Sequence, residues 1–241
     1  FSNNYLLKYV RMMSYLKKIY DLLTENRKIL ISTLTYEMRA INPRLFKNQK
    51  RSQVRQDINE IAVCLQVPRN QLNIFPSAKG LVAGSLVYTT ACGMEVDCSH
   101  LCEGHNIAND LENWQDLKST AQMVIVIEKE SVFQELLNVK FLDSLEFDTI
   151  LITGKGQPDV NTRKLLRRLA FEILPSQAKF TCLVDPNPSG MEILSVYKYG
   201  SLTQAFMNEP LAVPKLDWVG IYPSELHSIP KENIQDFSKK D

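Results

Sequence analysis

Met123-Val124-Ile125-Val126-Ile127-Glu128-Lys129-Glu130 is a continuous apolar run that stops abruptly on charge. A short, all-apolar run of this kind suits a strand covered on both faces. Two further runs repeat the pattern. Residues 149–152 lead into Thr153-Gly154-Lys155-Gly156, and residues 180–184 lead into Asp185-Pro186-Asn187-Pro188. Residues 131–137 and 162–174 carry helical spacing between them. Strands alternating with helices predict βαβ units and a parallel sheet, hence an α/β domain.

In open parallel sheets, sites form at the carboxyl ends of the strands. Glu128 follows the first run, and Asp185 and Asn187 follow the third. Residues i and i+2 of an extended segment point the same way, so a Glu and an Asp-x-Asn from separate strand ends can converge. Carboxylate and amide oxygens suit a hard cation, Mg²⁺ above all. The alternative is that each acid simply caps a turn or a helix. Gly154-Lys155-Gly156 lacks the glycine spacing and following Ser or Thr of a Walker loop. Its glycines suit a tight strand-to-helix turn.

Upstream the pattern is different. Leu6, Leu7, Val10, Met13, Leu16, Ile19, Tyr20 and Leu23 recur at helical spacing. A second helix is expected over 33–40, with Ser32 or Thr33 as its cap and Pro43 beyond its end. A third fits 49–65, with Val54, Ile58, Ile61, Ala62 and Leu65 as its apolar stripe. Strand-like runs follow at 71–75 and 86–90, separated by turn-rich residues. Three helices and a two-stranded ribbon form the pattern of a winged helix-turn-helix, whose third helix enters the major groove. A generic small helical domain is the alternative.

The 241 residues are 44% hydrophobic and 23% charged, an ordinary globular composition that excludes disordered and collagenous chains. No apolar run is long enough to span a bilayer. The net charge of +1 hides a split: residues 1–84 hold 14 Lys and Arg against 5 Asp and Glu, and the remainder 14 against 22. A basic half points to nucleic acid. Lys50, Arg51, Arg55, Arg69 and Lys79 are its candidate DNA contacts, expected to touch phosphates with little sequence preference. A solvated helix start is the other reading of Lys50 and Arg51. Cys92, Cys98, His100, Cys102 and His105 lie close together, but without paired C-x₂-C spacing. A loop with free thiols is therefore favoured over zinc. Trp114 and Trp218 are expected to pack in cores. Five cysteines make no disulfide framework, and residues 1–8 lack the features of a signal peptide. A soluble, reducing, intracellular setting is expected. The start at Phe1 and the polar end suggest a fragment.

Several stretches then carry a resemblance. Lys79-Gly80-Leu81-Val82-Ala83-Gly84, Val126-Ile127-Glu128-Lys129-Glu130 and Thr153-Gly154-Lys155-Gly156-Gln157-Pro158-Asp159 occur in order. Thr162-Arg163, Leu183-Val184-Asp185 and Tyr197-Lys198-Tyr199-Gly200-Ser201 follow. Over about 16–223 the sequence resembles the eukaryotic meiotic double-strand-break proteins, kin to the A-type chain of topoisomerase VI. The resemblance implies a winged-helix domain with a nucleophilic tyrosine, then a Toprim domain that holds Mg²⁺. It implies a nuclear homodimer that cuts double-stranded DNA by transesterification, with a B-type partner subunit. The helical stretch 5–23 is either that subunit's contact surface or buried in its own domain. The domains expected are a winged helix over 1–92, a linker over 93–120 and a Toprim domain over 121–241, truncated at its C-terminus.

Glu128 and Asp185 match the first two acidic metal positions of the family. Asn187 stands where the family has a third aspartate, so one negative charge is lost and Mg²⁺ binding should weaken. The family's Arg-Asp-Ile-Tyr-Tyr motif precedes a Leu-Phe. Counting back from Leu45-Phe46, Ala40 occupies the place of the catalytic tyrosine. Tyr36, the candidate nucleophile, lies one turn earlier, roughly 6 Å along a helix axis. Either Tyr36 serves in a shifted register, or the chain is a non-catalytic member that binds DNA or partners, or the gene is misread locally.

Overall fold

The computed structural model describes residues 3–67, 69–100, 103–109, 111–201, 211–228 and 230. The chain divides into two compact units, Phe1–Ser77 and Ala78–Asp241.

The first unit is helical. Helix α1 (Asn3–Thr24) buries Tyr15, Ile19 and Leu22 along one side, while Tyr5, Leu6, Tyr9 and Tyr20 stay exposed. Helix α2 (Ile31–Ile41) buries Ile31, Leu34, Thr35 and Met38. One further turn, α3 (Pro43–Phe46), begins at Asn42, whose side chain accepts from the Leu45 N–H at 3.2 Å. Pro43 sits at the first helical position, where a missing N–H removes no bond. Helix α4 (Arg51–Leu65) buries Val54, Asp57, Ile58, Ile61 and Ala62 and ends at Gln66, in the left-handed region at φ 56°. These stripes meet in one core with Phe46, Leu72 and Ile74. Each fully buried Leu or Ile there contributes about 1.5–3 kcal/mol. A polar chain crosses the core: Tyr15 donates to Gln49 at 2.7 Å, and Gln49 donates to Asp57 at 2.6 Å. Every buried polar atom on that path is thus bonded, which offsets its desolvation.

The ribbon expected from 71–75 and 86–90 does not form. Strand β1 (Ile29–Leu30) pairs in parallel with β2 (Ile74–Phe75), inside the first unit. The next strand, β3 (Leu81–Gly84), has all four residues buried and belongs to the large sheet of the second unit. Strand β4 (Val87–Thr89) pairs with β5 (Glu95–Asp97) and β7 (Gln115–Lys118). The division of the chain therefore falls at Ser77 rather than after residue 92. The stretch expected as a linker is also folded. It contributes β5, β6 (His105–Asn106) and β7, and buries Cys98, Ile107, Leu111, Trp114 and Leu117. Trp114 stacks on Tyr88 with ring centroids 3.6 Å apart. Apolar residues at irregular spacing gave no periodic signal there.

The second unit is built on a six-stranded sheet. Four of its strands run parallel: β8 (Met123–Ile127), β9 (Thr149–Thr153), β10 (Lys179–Leu183) and β11 (Leu216–Val219). Their order is β11-β10-β8-β9, and β3 then joins β9 antiparallel, with β6 beyond it. The connecting helices are α5 (Glu130–Asn138), α6 (Val160–Arg168) and α7 (Pro188–Tyr199). The apolar runs of β8 and β9 are buried as their composition requires, between a large core and a smaller one around Phe133. Helix α6 stops sooner than the expected 162–174; residues Leu169–Ile173 form a π turn. Among the described residues, no helix is long and apolar enough to cross a membrane.

Candidate functional site

Ile127 is level with Leu183 in β10 and with Thr153 in β9, so three parallel strands end together. Glu128 leaves the end of β8, its N–H donating to the Leu183 carbonyl at 3.0 Å. Its Oε2 accepts from the Asp185 N–H at 2.8 Å, which brings the two expected metal ligands side by side. The Gly154–Gly156 turn closes on the same place, Gly156 N–H donating to the Glu128 carbonyl at 2.8 Å. Asn187 accepts from the Gly190 N–H at 2.8 Å and caps α7, with Pro188 at the first helical position. Asn187 is thus both a helix cap and a neighbour of the acids.

Two lysines stand among these groups. Lys129 Nζ lies 2.6 Å from Asp185 Oδ2, and Lys155 Nζ lies 2.8 Å from Glu130 Oε1. The hydrogen bond to Asp185 raises the Lys129 ammonium above its ordinary pKa, so it stays charged. Lys79 donates to the Lys155 carbonyl at 3.3 Å. The sequence offered Lys129 and Lys155 only as parts of motifs. A basic residue beside an acidic strand end is their only signal.

Asp159 supports the site from below. Its Oδ1 caps α6 by accepting from the Thr162 N–H at 2.9 Å, and its Oδ2 accepts from the N–H groups of Lys79 and Gly80. Tyr197 of α7 is 1% exposed, and burial holds its phenol well above the ordinary range. A Cβ added to Gly154 would lie 2.6 Å from its hydroxyl, so only glycine lets the turn pack there.

Glu128 and Asp185 supply hard oxygen donors, and these contacts engage only Oε2 of the first and Oδ2 of the second. Mg²⁺ is commonly held by one or two carboxylates together with waters. The pair therefore fits a small divalent cation, with Asn187 adding no charge. Among the described residues, no group of three or more His, Cys, Asp or Glu is arranged for a metal. The zinc alternative loses Cys98, which is buried in the core, and His105, which packs beside Tyr88 and Trp114. Cys98 is a free thiol. The His100 side chain and Cys102 lie outside the described residues.

In the first unit, Tyr36 is 60% exposed on α2 and Ala40 is exposed one turn on. Arg51 Nη2 donates to the Tyr36 hydroxyl at 3.2 Å, with its guanidinium 5.7 Å from the ring centroid. Lys50, Arg51 and Arg55 are exposed at the start of α4. Arg69 departs from this set. It is 7% exposed, donates to Asn59 at 3.2 Å, and burial lowers it to about 10. Arg69 is a structural cation and not a surface contact. Lys79 belongs to the second unit, beside the acidic site.

A parallel sheet with an acid at the end of one strand and an acidic loop after its neighbour defines a Toprim-type protein. Residues 123–241 match the Toprim domain of the topoisomerase 6A/Spo11 family. The chain is 34% identical over 238 residues to the human meiotic recombination protein SPO11, covering 97% of this chain and 57% of that one. It is 36% identical over 227 residues to SPO11-1 of Arabidopsis thaliana, covering 92% and 59%. It is 36% identical over 189 residues to W68 of Drosophila melanogaster, covering 78% and 55%. The chain belongs to the topoisomerase 6A/Spo11 family and spans less than two thirds of the length of these relatives.

Proposed function

We propose that this chain is a nuclear, DNA-binding, topoisomerase VI A-like protein of meiotic recombination. In this reading it holds Mg²⁺ at Glu128 and Asp185, and the first unit is a winged-helix relative that meets DNA phosphates through Lys50, Arg51 and Arg55. It works as a homodimer with a B-type subunit. The chemistry served is transesterification. A tyrosine oxygen attacks a backbone phosphorus, the bond from that phosphorus to the 3′ oxygen breaks, and the 3′ hydroxyl leaves with a proton. A bound divalent cation would stabilise charge on the phosphate.

The chain as it stands is the non-cutting form of this machine. One observation supports that reading: Ala40 is exposed on α2, and by the count back from Leu45-Phe46 it stands where the resemblance puts the family's nucleophile. Alanine has no attacking atom, and a nucleophile displaced by a full turn falls outside near-attack geometry. A second reading rests on Tyr36, which is exposed with Arg51 against its hydroxyl. An arginine there would pair with the phosphate once it was attached to the tyrosine.

A covalent-adduct assay separates the two. The chain is incubated with a B-type subunit, Mg²⁺ and supercoiled DNA, then denatured and probed for DNA-linked protein. No adduct from a chain that binds DNA is the expected result, with Ala40→Tyr as the variant that restores it. An adduct that disappears in Tyr36→Phe would overturn the non-cutting reading in favour of the second.

A further inference from the structure

Lys129 places a positive charge on the acid that the proposed function assigns to metal. Its ammonium sits 2.6 Å from Asp185 Oδ2, while the neighbouring Lys155 is paired elsewhere, with Glu130. The Lys129 side chain is 51% exposed and that of Asp185 37%, so the contact opens directly to water. The backbone of Lys129 is fixed: its carbonyl accepts from the Phe133 N–H at 3.1 Å in the first turn of α5. The side chain can therefore leave Asp185 while the helix stays in place.

Charge counting gives this contact a role. Glu128, Glu130 and Asp185 face Lys129 and Lys155, a cluster of five groups with one net negative charge; Lys79 and Asp159 beside it cancel each other. A divalent cation added to all five groups would reverse that sign. Releasing the Lys129 ammonium to solvent would bring the cluster to neutrality. Asn187 contributes no charge, so the lysine and the metal compete at a site with only two ligand carboxylates.

We propose that Lys129 is an internal counter-cation of the Toprim site, which occupies Asp185 in the metal-free protein and must be displaced for a divalent metal to bind. This rests on the reading of Glu128 and Asp185 as metal ligands. Lys129 is a positioning residue whose effect is on metal affinity, because an exposed pair of this kind is weak enough to exchange.

The test is Mn²⁺ binding to the 241-residue chain, followed by the loss of the free-ion paramagnetic resonance signal, with no DNA present. Lys129→Met is expected to tighten Mn²⁺ by about fivefold, the factor that an exposed ion pair near the top of its range represents. Lys129→Arg keeps the charge and is expected to match the parent chain. Asp185→Asn is expected to weaken binding in both the parent and the Lys129→Met background. Equal affinity in the parent chain and Lys129→Met would overturn the counter-cation while leaving the metal ligands standing. Weaker binding in Lys129→Met would also overturn it, since Lys129 would then be holding Asp185 in place for the metal. Absence of Mn²⁺ binding in every variant would overturn the metal reading and this inference together.

Discussion

Asp159 binds Gly80 across the second unit: its Oδ2 accepts from the Gly80 N–H at 3.3 Å while its Oδ1 caps α6. One carboxylate thus joins the entry to β3 to the start of α6. Asp159→Ala removes the cap and leaves the Lys79 and Gly80 N–H groups without that acceptor. Loss of a cap costs about 1 kcal/mol, and orphaned buried donors add about 1–3 kcal/mol. A drop of about 2–4 kcal/mol in urea unfolding of the second unit is expected. A loss below about 0.5 kcal/mol, the range of an ordinary surface change, would show that the link is dispensable.

Gly154 and Tyr197 form a coupled pair. Gly154→Ala forces a Cβ against the Tyr197 hydroxyl and Pro158, and overpacking of this kind costs about 1–3 kcal/mol. The Tyr197 hydroxyl has no hydrogen-bond partner among the described residues. Tyr197→Phe should therefore be close to neutral alone and should recover part of the loss in Gly154→Ala. Strict additivity in the double-mutant cycle would refute the contact.

Stability should fall on the alkaline side. Burial pushes the Cys98 and Cys182 thiols from 9.0 up to about 12, with Asp97 and Glu128 adding to the two shifts respectively. Between those values the unfolded chain has lost a proton that the folded chain keeps. The unfolded state then binds fewer protons, so unfolding free energy decreases as pH rises. Each thiol contributes a slope of about 1.4 kcal/mol per pH unit in that window, and Tyr197 adds to it above its ordinary 10.0. Unfolding free energies measured from about pH 8 to 11 should flatten in Cys182→Ala. An unchanged slope in that variant would exclude the thiol as a cause.

The basic residues separate into two behaviours. Removing Lys50, Arg51 or Arg55 should weaken DNA binding alike on all sequences, and each loss should reduce the salt slope by about 0.9. Arg69→Ala should instead destabilise the first unit by about 1–3 kcal/mol, because it deletes a buried, bonded cation. Fluorescence anisotropy across a salt series, beside a thermal melt, distinguishes the two. A salt-slope change in a fully folded Arg69→Ala protein would return Arg69 to the DNA surface.

The sequence made the centre of the sheet legible because β8 is apolar on both faces, the middles of β9 and β10 carry few polar side chains, and all three stop on polar turns. Glu128 and Asp185 were legible for the same reason, since a strand end fixes where its next residue lies. The pairing of short strands was not. Ile74-Phe75 and Val87-Tyr88-Thr89 look like partners by spacing, yet each finds its ladder elsewhere. Strand composition carries no address. Helix α7 escaped notice because Pro188 and Gly190 resemble a turn, although proline at a first helical position after Asn187 is a helix start. Lys129 escaped because its contact is with Asp185, which is remote in sequence and adjacent only in the sheet.

The antiparallel placement of β3 beside β9 bears on how the protein is made. Helices α1 to α4 and both strands of the first unit are complete once the ribosome has passed Ser77. That unit can settle from contacts already in hand. Strand β3 emerges next, apolar on both faces, and its ladder partner Thr149–Thr153 does not yet exist. Until translation reaches that segment, Leu81-Val82-Ala83 is an exposed sticky edge of high contact order. The ladder of β3 thus closes only after residues 149–153 are made, and until then β3 is an apolar segment open to aggregation.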